Sequence, residues 1–234
     1  MEQSGTSTLL QGAVQDLASS VVSALRGGDH ARVSAPGAVD SDAGAGIALA
    51  AVRVLGSDAL LPSVLLGTPP DPDELAVFRK AVESFPPRAD AAPTVLWSHW
   101  AMARTLRRLD PSSAVGTAGE TEPGADWLDG ASWQTLTHQL AVLAPLALPG
   151  EECAVTRAAA RRPVDVARGF VRAVRRRDWR QAAGAGRWLT LLDGVPDTLG
   201  LDAGLDFVEL MGGQDPQVEL HVRAARLLRA GAPV

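Results

Sequence analysis

Along most of the chain, apolar residues recur at spacings of three and four, and the segments that carry them are cut by Gly and Pro. Leu10, Val14, Leu17, Val21 and Ala24 set the pattern. Val166, Phe170, Ala173 and Val174 repeat it, as do Val218, Ala225 and Leu228. That period places one stripe of each segment on one side of an α-helix. Alternating apolar and polar runs bounded by turns, the mark of half-buried strands, are absent, which argues against any sheet-based fold. The expectation is an all-α chain, an irregular multi-helix bundle of nine or ten short helices, with helix-hairpin, solenoid-like packing as a variant. VRRRDWRQA and ALRGGDHARV echo each other, but two echoes do not define a repeat.

Local signals fix where the helices begin. Asp71 with Pro72 and Asp215 with Pro216 each pair an N-cap carboxylate with a proline in the first helical position. Pro163 opens another helix, and Asp178 with Trp179 the next. The pattern predicts helices near 8–26, 72–85, 94–109, 130–144, 164–177, 179–192 and 216–229. Shorter ones follow Asp40, Ser41 or Asp42, and cover about 151–162 and 202–211. Residues 30–39 and 110–129 read as loops rich in Gly, Pro and small polar residues. A single all-α domain over 1–234 is expected, with a subdivision into 1–110, an acidic flexible loop at 111–129, and 130–234 as the alternative.

Composition narrows the function classes. Lys80 is the lone lysine among 22 basic residues, Tyr and Asn are absent and Ile47 is the single isoleucine. Loss of residues with AT-rich codons is what a high-GC bacterial genome produces, so arginine in place of lysine is weak evidence for phosphate recognition. One cysteine, Cys153, rules out an internal disulfide and CxxC metal sites. With no basic-then-apolar leader in MEQSGTSTLLQGAVQDLASS and no repeated spans of about 20 apolar residues, the expectation is a cytoplasmic protein with no membrane partner. The net charge of −5 argues against nucleic acid as a partner. The charge is nonetheless segregated: residues 157–187 hold ten arginines against Asp165 and Asp178, a local +8 that leaves −13 elsewhere.

Motifs of known chemistry are missing. There is no GxxxxGK[ST] phosphate loop, no GxGxxG, and no GxSxG elbow, since Gly130-Ala131-Ser132-Trp133-Gln134 ends in Gln. His30, His99, His138 and His221 show neither HxxxH nor ExxH spacing, so neither metal nor cofactor is expected. Cys153 reads as a small core residue. His99 falls among Val95, Leu96, Ala103 and Leu106, and His221 among Val218, Ala225 and Leu228. Both are therefore expected to be buried, as structural imidazoles or as the catalytic or ligand-orienting groups of a pocket. Trp97 lies on the other side of its helix, over Arg104 and Arg108, and Trp127 lies in the acidic loop. Each is either covered by that loop or an anchor for a partner.

The arginines give the most pointed candidate. Arg168, Arg172, Arg175 and Arg176 project within roughly 100° of arc, taking 3.6 residues per turn. Like charges so close repel unless carboxylates answer them, from Glu120, Glu122, Asp126 and Asp129 or from a protein partner or an acidic small molecule. Two functions follow: a non-catalytic protein-interaction or accessory protein, or a cofactor-free enzyme or small-molecule binder of specialised metabolism. A closed Trp- and His-lined cavity would favour the second, and an exposed groove over a solid core the first.

Overall fold

The computed structural model describes residues 2–27, 42–111 and 121–231. Of the described residues 75% are helical, and no strand occurs among them. The described residues divide into two compact units, 2–27, 42–91, 98–111 and 121 in one and 92–97 with 122–231 in the other. The loop expected at 30–39, the cap candidates Asp40 and Ser41, and Glu120 lie outside the described residues.

The first unit holds α1 (Glu2–Leu25), α2 (Asp42–Leu55), a 3-10 turn (Gly56–Leu60), α3 (Leu61–Leu66) and α4 (Pro72–Ser84). It also takes residues 98–109 of α5 (Pro93–Leu109). Helix α1 starts before the expected residue 8, because its first turns carry no apolar stripe from which periodicity could be read. Val14, Leu17 and Val21 of α1 are buried, as are Ala51, Val52 and Leu55 of α2 and Phe78, Ala81 and Val82 of α4. Helix α4 begins where expected: the Asp71 carboxylate accepts a hydrogen bond from the Asp73 amide at 2.8 Å, and Pro72 follows the cap. One correction concerns membrane spans. The helical stretch Gly44–Leu66, 23 residues of mean hydropathy 1.6, is by length and composition apolar enough to cross a membrane. Of its 18-residue apolar window 61% is buried within the structure, as in the core helix of a folded unit.

The second unit holds residues 92–97 of α5, α6 (Asp126–Asp129), α7 (Trp133–Val142), α8 (Ala154–Ala160), α9 (Pro163–Arg175), α10 (Trp179–Leu189), α11 (Leu201–Gly212) and α12 (Pro216–Arg229). Its centre is α10, which packs against α7, α9, α11 and α12. Every residue from Ala182 to Leu189 is buried. A helix enclosed on all sides needs small residues where neighbours come close, and α10 reads Ala-Ala-Gly-Ala-Gly there. A Cβ on Gly184 would stand 2.8 Å from the Ala141 carbonyl oxygen of α7. Trp188 anchors the same contact, its indole N–H donating to the Leu140 carbonyl at 2.6 Å.

Candidate interaction groove

Helix α9 is amphipathic in two different ways. Val166, Phe170 and Ala173 are buried. On another face, Val164, Ala167, Arg168, Val171, Arg172 and Arg175 fall at i, i+3, i+4, i+7, i+8 and i+11, which is one continuous stripe. That stripe floors an open groove of about 640 Å³, and Arg176 joins it from the helix end. Trp133 and the segment with Pro196, Thr198 and Leu199 supply the rest of the lining. Val164 and Val171 are 45% and 42% exposed, so apolar surface and cations share one accessible face. The structure thus brings all four candidate arginines to a single site.

Their electrostatics are uneven. Arg168 lies 3.5 Å from the Asp165 carboxylate one turn earlier. The guanidinium of Arg172 sits 5.5 Å from the centre of the Trp133 ring, a cation–π stack. Arg175 and Arg176 are exposed and have no carboxylate partner among the described residues. Two of the loop carboxylates that could have answered them pair elsewhere. Glu122 pairs with Arg157 at 3.4 Å and accepts from the Ala154 amide at 2.6 Å, while Asp129 pairs with Arg161. Arg162 donates to the carbonyls of Leu128 and Ala131. Glu122 and Asp129 are thus taken by Arg157 within α8 and Arg161 at its end, not by the α9 stripe.

The same segment holds both tryptophan candidates. Trp97 is completely buried and donates from its indole to the Gly124 carbonyl at 3.1 Å. Trp127 is half-buried and donates to that same carbonyl at 3.1 Å. One acceptor with two lone pairs holds both indoles; Trp97 is thereby no surface anchor, while the Trp127 ring stays partly accessible. Arg104 stacks not on Trp97 but on Trp100, at 5.2 Å.

The histidines lie in different units. His99 is buried at 8% exposure, with Nε2 3.2 Å from the Val82 carbonyl oxygen. Burial pushes its pKa below the ordinary imidazole value; the Val82 contact opposes this and the nearby Arg53 charge adds to it. His221 is only half-buried, contrary to expectation, and its Nδ1 lies 3.5 Å from a guanidinium nitrogen of Arg187. Arg187 itself escapes a reading of the sequence. It is fully buried, and its Nε donates to the Ala147 carbonyl at 3.2 Å. Neither histidine lines the groove.

Cys153 is fully buried, and burial raises its thiol pKa despite the opposing hydrogen bonds from Thr156. Its amide donates to the Thr156 hydroxyl at 2.9 Å, so it opens α8 as a cap residue. Among the described residues, no group of three or more His, Cys, Asp and Glu is arranged to hold a metal ion. No protein-family model matches this chain, and comparison with curated proteins and with solved structures finds no match.

Proposed function

We propose that this chain is a non-catalytic helical accessory or regulatory protein of a high-GC bacterium, and that it docks an acidic, amphipathic segment of a protein partner along α9. The observation that carries this is the groove itself, an apolar floor edged by four arginines of which Arg175 and Arg176 lack a carboxylate partner among the described residues. Unanswered cations beside exposed valines are complementary to a segment that carries carboxylates beside apolar side chains. An open groove without a histidine fits docking better than it fits a closed catalytic pocket. The buried, unpaired Cys153 fits a reducing, cytoplasmic setting.

The test uses a fluorescent synthetic helical peptide with Glu and Asp on one stripe and Leu on the adjoining one, titrated with the full chain. Saturable binding is expected, with Arg175→Gln/Arg176→Gln weakening it about tenfold and a Lys-for-acid peptide failing to bind. Equal binding of the acidic and basic peptides overturns the proposal. So does tighter, salt-sensitive binding of mixed-sequence DNA.

A further inference from the structure

We infer that the groove along α9 takes helix α11 of a second copy of this chain, which names the first partner of the site and rests on the docking proposal above. Helix α11 is the second place where the fold leaves a large apolar face open. Phe207, Leu210 and Met211 are 45%, 80% and 48% exposed, and monomeric proteins seldom leave such residues contiguous. Alongside them run Asp202 and Asp206, whose side chains are 70% and 69% exposed although they pair with Arg229 and Arg226. One helix of the unit therefore presents apolar surface beside cations, and another presents apolar surface beside carboxylates.

The order of the stripes agrees as well. At about 100° per residue, the α9 face passes from Val171 and Val164 to Arg175, Arg168 and Arg172 as the angle increases. The α11 face passes, in the same sense, from Asp202 and Asp206 to Leu210, Phe207 and Met211. Two facing helices that run parallel meet with their angular orders reversed, so apolar falls on apolar and carboxylate on guanidinium. An antiparallel arrangement mismatches both. Both faces belong to the second unit, so each copy carries both halves of the contact, as a closed two-fold dimer requires.

The experiment is light scattering with sedimentation analysis of the full chain across a micromolar concentration range. A mass rising above the 24.4 kDa monomer is expected. Arg175→Glu/Arg176→Glu should weaken association about tenfold or more, and so should Asp202→Lys/Asp206→Lys; the combined charge-swapped chain should recover it. Leu210→Asp, at the most exposed of these positions, repeats the test without touching an ion pair, and helical circular dichroism verifies that each variant is folded. A synthetic peptide of residues 200–213 should dissociate the wild-type assembly. A wild type that stays monomeric throughout, or an association indifferent to both charge reversals, overturns the inference. If that monomer still binds the acidic probe peptide, the docking proposal stands alone; if it binds neither, both fall.

Discussion

At the scale of single residues, burial decides more than type. Burial disfavours the charged form of His99, so its folded-state pKa lies below the unfolded value of about 6.5. Below that pH the unfolded chain takes up the proton more readily than the folded one, so stability rises with pH through this window. The His99 contribution is complete above about pH 6.5 and is lost as the pH falls from there toward the folded-state pKa. Urea denaturation at pH 5 and pH 7 should show a smaller pH dependence in His99→Gln than in the wild type. Caps such as Asp71 and Asp215 were legible in the sequence because their partners stand two residues away. Arg187 was not: its contacts, Ala147 and His221, are 40 and 34 residues distant, and a cation in an alanine-rich helix gives no local sign of burial. The burial of Trp97 is hidden for a related reason. A helical wheel assumes one core per helix, whereas α5 contributes residues 93–97 to one unit and the remainder to the other.

At the scale of elements, glycines separate propensity from packing. A Cβ added at Gly12 in α1 would meet nothing within 4 Å, so Gly12→Ala should gain up to about 1 kcal/mol through helix propensity. Gly184→Ala gains the same propensity but drives a Cβ to 2.8 Å from the Ala141 oxygen and 2.9 Å from its Cα. Backbone cannot yield as a flexible side chain does, so α7 and α10 must separate, at a net cost of about 1–3 kcal/mol. Thermal unfolding of the two variants should move in opposite directions. Periodicity located α7 and α10, but their distance of approach was not legible, because it depends on which residues of two helices meet. The same limit applied to the groove. The arginine arc was visible on one helix, whereas Trp133 and the 196–199 wall came from elements about 30 residues before it and 20 after.

For the whole molecule, charge segregation is the governing feature. Arginines concentrate in residues 157–187 within a chain of net charge −5. Exposed pairs and single exposed charges contribute only about 0–1 kcal/mol each, so the α9 arginines matter for recognition rather than for holding the fold. Changing Arg168, Arg172, Arg175 and Arg176 together to Gln should leave the Tm within a few degrees while abolishing binding of the acidic peptide. Calorimetry and fluorescence polarisation on the same preparation check both halves of that statement.

The enclosed helix α10 also imposes an order on synthesis. It is covered by α7 and α9, which precede it along the chain, and by α11 and α12, which follow it. A nascent chain that ends at residue 213 has made the central helix but not α12. On the ribosome, the second unit therefore remains an unfinished core, with one flank of α10 bare, until residues 216–229 have cleared the exit tunnel.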